Sequence, residues 1–286
     1  MTARVCVLVA VLAAAAVGTH AQQPIFSSRV DTVRVDVSVR QGPRPVAGLT
    51  SADFEVLDNG VRQHVDFASL EQMAVSVVLA LDVSGSVEGA RLAQLRAAGG
   101  RLVGMLAARE TAAVVAFTDQ VTIASDFTSD RSRLLAALEQ PSGRGDTALL
   151  DATHAALVLG ESQQGRPLVI IFSDGADTAS FLSADVVLET ARRTAPVVYA
   201  VTMFDTSSDF IDDLVRSTGG RRLEVESLDR VSDAFAEILS ESRERYLLSY
   251  TPTGVQRGGW HQIDVRVRGR RAEVRARPGY LSESEK

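Results

Sequence analysis

Five oxygen-bearing side chains stand in three separate stretches of this chain: Asp82, Ser84 and Ser86 in Asp82-Val83-Ser84-Gly85-Ser86, then Thr147, then Asp174 in Phe172-Ser173-Asp174-Gly175. Two carboxylates and three hydroxyls make a hard donor set, suited to Mg²⁺, Mn²⁺ or Ca²⁺ and poorly suited to zinc. Such a set acts on a cation only if it converges. Both acidic stretches directly follow an apolar run, Val75–Leu81 and Leu168–Phe172. Runs of that length and composition read as buried parallel strands. In a doubly wound sheet, loops leaving the carboxyl ends of neighbouring strands meet in one crevice. Taken singly, Asp82 and Asp174 would serve as well as helix caps or loop ties with no metal, because acidic residues and serines favour helix starts. Asp151 and Asp177 read as caps or as hydrogen-bond acceptors behind the donors. His64, His154 and His261 share no ligand spacing, so core or surface roles suit them better than zinc.

The elements that must position these residues form an α/β pattern from Ala74 to about Arg243. Candidate strands are Val75–Leu81, Ala112–Phe117, Val121–Ser125, Leu168–Phe172, Val197–Phe204 and Arg222–Glu226. Candidate helices are Gly89–Ala107, Asp130–Glu139, Ala148–Leu159, Ala184–Thr194, Asp209–Ser217 and Asp229–Arg243, the last with Val231, Phe235, Ile238 and Leu239 at helical spacing. The alternation predicts a doubly wound, mostly parallel sheet flanked by helices. Thr118-Asp119-Gln120 joins two of the strands as a hairpin, which makes one edge strand antiparallel.

The flanks differ. Val33, Val35, Val37 and Val39 alternate with Arg34, Asp36, Ser38 and Arg40, the pattern of a half-buried strand. Thr50-Ser51-Ala52-Asp53 reads as a capping box opening a short helical turn. Phe54–Leu57 and Val61–Phe67 surround Asn59-Gly60, a tight-turn pair. After Arg245, strands return at Tyr246–Tyr250, Ile263–Val267 and Ala272–Ala276. Neither flank is large enough to form a core alone. The economical expectation is one small β-sandwich built from 22–73 and 244–281, with the α/β domain 74–243 inserted and 282–286 left as a tail.

Composition bounds the compartment and the partners. Arg4, the apolar run Val5–Val17 and Gly18-Thr19-His20-Ala21, with small residues at the −3 and −1 positions, describe a secretory signal peptide over 1–21. The run is shorter than the roughly 20 residues of a spanning helix, so no stable membrane span is expected after cleavage, and the protein is expected in the periplasm or outside the cell. Cys6 is the only cysteine; the mature chain has neither a disulfide scaffold nor a thiol nucleophile. A net charge of −6 argues against nucleic acid as a partner. The arginines at 266, 268, 270, 271, 275 and 277 alternate with apolar residues, as the solvent face of strands would.

At this point the residues resemble the von Willebrand factor A domains. Asp82-x-Ser84-x-Ser86 matches the DxSxS signature of their metal-ion-dependent adhesion site, Gly145-Asp146-Thr147-Ala148-Leu149 resembles the threonine loop, and Ser173-Asp174-Gly175 the aspartate loop. The resemblance covers Ala74 to Arg243. The flanking stretches Pro45–Val56 and Arg275–Tyr280 look like the ends of a secreted bacterial "VWFA-related" family described from Acidobacteria. Asp146 is a departure, since glycine often precedes the threonine; a third carboxylate there would raise affinity or favour Ca²⁺, unless it points into solvent. Arg144-Gly145-Asp146 spells the tripeptide integrins recognise, but its place in the threonine loop accounts for it.

The resemblance implies that Ser84, Ser86 and Thr147 bind the cation directly or nearly so, with Asp82 and Asp174 binding directly or through water. Three neutral hydroxyls neutralise none of the ion's charge, so Mg²⁺, which takes about six oxygens, keeps an affinity for a partner's Asp or Glu. It also implies coupling between ligand binding and the last helix, which here runs straight into Tyr246–Tyr250. The expected function is therefore an exported, non-enzymatic binding module. The rivals are a metal-dependent hydrolase on the same sheet and a structural protein whose ion only braces the loops. Haloacid-dehalogenase-type chemistry needs a second acid where Ser84 stands, and neither Gly-x-Ser-x-Gly nor a P-loop is present.

Overall fold

Valine alternation makes Val33–Gln41 (β1) the first strand of the computed structural model, which describes residues 32–70, 73–87, 89–141, 145–174, 176–203 and 208–282. The signal peptide expected over 1–21 lies outside the described residues. Val33, Val35, Val37 and Val39 point into a core, as the alternation requires, but Ser38 and Arg40 on the opposite face are buried too. Arg44–Pro45 (β2) folds back on β1. Thr50 then opens one turn over Ser51–Asp53, its backbone N–H donating to the Asp53 carboxylate at 2.7 Å. Phe54–Asp58 (β3) and Val61–Gln63 (β4) form a hairpin through Asn59-Gly60, both at positive φ.

The single strand expected over Val61–Phe67 is instead two, β4 and Phe67–Ser69 (β5), and they belong to different sheets. The chain crosses between them because Val65 drops into the core while Asp66 turns to the other sheet. There its N–H donates to Ser249 O at 2.9 Å and its carboxylate accepts Thr251 N at 3.0 Å.

Val75–Asp82 (β6) is buried along its whole length. It begins the α/β alternation: Ala90–Met105 (α1), Thr111–Phe117 (β7), Val121–Thr128 (β8), Arg131–Glu139 (α2), Leu149–Glu161 (α3), Arg166–Phe172 (β9), Ala184–Arg193 (α4), Val197–Met203 (β10), Asp209–Thr218 (α5), Arg222–Val225 (β11) and Val231–Arg243 (α6). The strands lie in the order β11-β10-β9-β6-β7-β8, all parallel except the edge strand β8. Alternate residues of β6 serve opposite faces. Val77 and Leu79 pack with Leu95, Leu102, Phe235 and Ile238 on one side, and Val78 and Ala80 with Leu149, Ala156 and Leu214 on the other. Asp130 starts α2 by accepting the N–H groups of Ser132 and Arg133. Among the described residues no helix is long and apolar enough to cross a membrane.

Tyr246–Tyr250 (β12), Gly259–Val267 (β13), Glu273–Arg275 (β14) and Gly279–Ser282 (β15) complete the chain. Strands from the two ends of the sequence pair with one another: β12 lies between β1 and β5, β14 beside β1, and β13 between β3 and β15. The resulting sheets share one core of Val35, Val37, Phe54, Val56, Leu248 and Val265. No strand was expected at β15; it is held by Tyr280, whose hydroxyl donates to the buried Asp58 at 2.9 Å.

Where α6 meets this second layer, the contact is ionic and buried. The Glu241 side chain is 1% exposed and accepts Tyr199 Oη (3.0 Å), Ser38 Oγ (3.1 Å) and Arg221 Nε (2.9 Å), which explains why Ser38 is buried. Arg166, also buried, donates to Asp36 Oδ1 (2.8 Å), Ser242 O (2.8 Å) and Arg245 O (3.1 Å). Gly219, at φ +77°, ends α5 where a Cβ would lie 2.6 Å from the backbone of Ala276 and Arg277, so only glycine permits this approach.

Burial opposes ionisation of Glu241, but Arg275 and Arg221 together with the Tyr199 hydroxyl outweigh it and hold the carboxyl below its ordinary value of 4.5. A depressed folded value stabilises the protein fully above pH 4.5, and the contribution is lost as pH falls through the depressed value. Glu241→Gln is expected to cost about 3 kcal/mol at neutral pH, since it removes the one buried carboxylate that Arg221 and Arg275 share and leaves each only a surface acid, Glu237 and Glu273. Urea unfolding should show this gap narrowing in acid; an equal gap at both pH values would contradict the assignment.

Candidate functional site

β6 and β9 are neighbours at the centre of the sheet, with Leu81 opposite Phe172, and Phe117 of β7 lies opposite Asp82. Their carboxyl ends therefore deliver Asp82 and Ser173-Asp174 to one edge. Asp82 closes a wholly buried strand and is itself 0% exposed. Its Oδ1 accepts the Ser84 N–H at 3.0 Å and its Oδ2 the Ser173 hydroxyl at 2.8 Å, which fixes the carboxylate plane. Val83 N–H donates to Phe117 O at 2.9 Å and holds the exit from β6.

The threonine loop is stitched to both neighbours. On one side Gly85 N–H donates to Gly145 O (3.1 Å) and Ala148 N–H to Thr118 O (2.7 Å). On the other, Thr147 N–H donates to Thr178 Oγ1 (3.0 Å), and Thr147 O accepts the N–H groups of Thr178 (2.9 Å) and Ala179 (3.1 Å). Gly145 adopts φ +94°, and a Cβ there would lie 2.9 Å from Asp119 Oδ1, so the loop needs glycine twice over. Ser84 and Thr147 are buried and Asp174 is half-buried, with Oδ1 accepting Ala176 N–H at 3.2 Å. The structure thus brings the loops of Asp82, Ser84, Thr147 and Asp174 together. Ser86 lies in the short turn Gly85–Val87, but its side chain is outside the described residues, as is Gly175.

Burial pushes the Asp82 carboxyl up from its usual range; hydrogen bonds from Ser84 and Ser173 oppose this, and the Asp174 charge adds to it. The charge that acts on Asp82 is that of Asp174, not of an arginine, and among the described residues no three His, Cys, Asp or Glu side chains gather into a metal-binding group. A buried carboxylate with a second acid in electrostatic range and hydroxyls beside it is chemically matched to a small hard cation. The residues present fit such an ion.

Asp151 and Asp177 bond to backbone instead. Asp151 accepts Phe181 N–H (3.0 Å) and Leu182 N–H (2.9 Å), and Asp177 accepts Leu150 N–H (3.2 Å) in the first turn of α3. Of the histidines, His154 meets Thr190 and His261 is buried against Asp58, both away from this edge. Sequence reasoning missed two supports. Ser173 could have been marked by its place before Asp174; Thr178, which clasps Thr147 from 31 residues away, carries no local signal. A groove of about 310 Å³ borders the site on the β7–β8 side, with Val83, Phe117, Thr118 and Pro141 in its wall. A larger cavity, about 670 Å³, lies between α5, β11 and β14, and its arginines Arg216, Arg221, Arg222 and Arg275 are already paired with acids.

Comparison with known proteins agrees with this geometry. Residues 77–176 match the family model of the von Willebrand factor type A domain. A solved von Willebrand factor type A protein from Catenulispora acidiphila is similar with a TM-score of 0.54 and 13% identity, over 90% of this chain and 73% of that one. Proximal thread matrix protein 1 from the mussel byssus aligns with a TM-score of 0.54 and 16% identity, over 64% of this chain and 49% of that one. The D319A mutant of the PilB minor pilin from Streptococcus sanguinis gives 0.51 and 12%, over 60% and 62%. No curated protein sequence matches the chain. Over residues 77–176 the chain thus matches a von Willebrand factor type A domain.

Asp151→Ala should free the amides of Phe181 and Leu182, raising their hydrogen-exchange rates selectively and costing about 1–2 kcal/mol in urea unfolding. Unchanged exchange at both amides would show that Asp151 does not hold this loop.

Proposed function

We propose that this protein is an exported, non-enzymatic binding module that engages an acidic residue of a protein partner through a divalent cation, Mg²⁺ or else Mn²⁺ or Ca²⁺. Asp82, Ser84, Ser86, Thr147 and Asp174 hold the cation, as in a metal-ion-dependent adhesion site. The observation that carries this reading is the buried Asp82 carboxylate, held in one orientation and faced by no cationic side chain among the described residues. Bound there, the ion supplies positive charge and an open position for a partner's carboxylate oxygen.

Each residue's task follows from its surroundings. Asp82 provides buried negative charge that Ser84 N–H and Ser173 Oγ keep aimed in one direction. Ser84, Ser86 and Thr147 contribute neutral oxygen, so the cation's charge is left undersatisfied. Asp174, half-buried at the mouth, provides the second carboxylate where a partner approaches. A minor pilin and a thread matrix protein share the fold, in keeping with a role in protein interaction.

Segments 22–73 and 244–281 form a lobe that carries the inserted domain 74–243, and the leader 1–21 sends the protein to the periplasm or beyond. The pairing of β1 with β12 and of β3 with β13 supports this division.

Calorimetric titration with MgCl₂ tests the reading. The wild type is expected to bind the ion, and Thr147→Ala and Asp174→Ala to bind it at least tenfold more weakly, about 1.4 kcal/mol. A glutamate-containing peptide should bind only in the presence of Mg²⁺. Equal Mg²⁺ affinity in all three proteins would refute the ligand set; ion binding without peptide binding would leave only a brace.

A further inference from the structure

Phe181 is 96% exposed, against 53% for Ile123, the next most exposed large apolar side chain among the described residues. Burying a phenylalanine stabilises a fold, and here that contribution is forgone. The backbone beneath the ring is nonetheless pinned. Asp151 accepts the N–H groups of Phe181 and Leu182, and Ser180 Oγ accepts those of Leu150 (3.0 Å) and Asp151 (3.2 Å) while donating to Asp177. A side chain presented on a fixed loop loses little freedom when a partner covers it.

Its position ties it to the candidate site. Ala179 N–H lies 3.1 Å from Thr147 O, and the two residues on to Phe181 span at most about 7 Å. The same edge exposes three carboxylates: Asp119 against Gly145, Asp146 next to Thr147, and Asp177 at the start of α3. A partner reaching Thr147 therefore meets an aromatic ring on one side and negative charge around it.

We infer that Phe181 is the apolar anchor of the partner-binding face. The partner is a protein loop that places a large apolar side chain next to its metal-seeking carboxylate, with Lys or Arg in the flanking positions. This rests on the cation-mediated reading above. The acidic rim repels every partner acid except the one the cation neutralises, and it selects basic neighbours. Buried aromatic anchors of this kind commonly dominate interface energetics.

The test selects a displayed peptide library, with one fixed glutamate and three randomised positions on each side, against the full chain in MgCl₂ with elution by EDTA. The expected pool is enriched in Leu, Ile or Phe within two positions of the glutamate and in Lys or Arg beyond. A synthetic consensus peptide is expected to bind Phe181→Ser about tenfold more weakly or worse, with Mg²⁺ affinity unchanged. A pool without that enrichment, or equal peptide affinity for both proteins, overturns the inference and leaves cation-mediated binding standing. A selection that yields no EDTA-eluted binder sinks both. Mg²⁺-dependent self-association in sedimentation velocity, lost in Phe181→Ser, would make a second copy the occupant and overturn the assignment to a separate partner.

Discussion

A carboxylate taken out of water is costly unless positive charge comes to meet it, and Asp82 is such a group at the end of the most central strand. The protein supplies hydrogen bonds from Ser84 N–H and Ser173 Oγ but no cationic side chain among the described residues. The loops around it are tied to one another. The Val83–Phe117 bond holds the strand exit, Gly85 and Thr178 clasp the threonine loop from opposite sides, and Asp174 adds charge that makes ionisation of Asp82 harder still. In the proposed reading, an ion from solution offsets this electrostatic cost. Under the same proposal, a partner's carboxylate would be drawn to an edge that otherwise repels it.

The sheet that creates this edge was legible because its strands are buried on both faces. Continuous apolar runs such as Val75–Leu81 and Leu168–Phe172 need no partner to be recognised, and the hairpin at Thr118-Asp119-Gln120 identified the antiparallel edge. The flanks were harder. Val61–Phe67 reads as one strand from its side chains, yet hydrogen bonds to Ser249 and Thr251, far away in sequence, break it at Asp66. Ser38 looks like a solvent-facing residue of an alternating strand and is buried because Glu241 reaches it from α6. β15 is too short to announce itself and depends on Asp58. In the site, the acidic and hydroxyl residues carry their own chemical signal, whereas Thr178 and Phe181 have meaning only once the loops are folded against α3.

The joint between the two layers is built differently from either core. Apolar residues of α6, Phe235 and Ile238, bury against the sheet, but its last turn ends in Glu241 and Ser242, which bond to Arg221, Tyr199, Ser38 and Arg166. Buried ionic contacts contribute little net stability while they are intact and cost much when half broken. They therefore favour one docking arrangement over its neighbours. The end of α6, the start of β9 and the middle of β1 are held in a single register, and displacement of the helix would have to carry Asp36 and Ser38 with it.

Diffraction from crystals grown with MnCl₂, recorded where manganese scatters anomalously, tests the central claim most directly. One strong anomalous peak is expected, bounded by the side-chain oxygens of Asp82, Ser84, Thr147 and Asp174, with the Ser173 bond to Asp82 retained behind it. An ordered site with no peak there, and Asp82 still buried behind its bonds from Ser84 and Ser173, would contradict that claim.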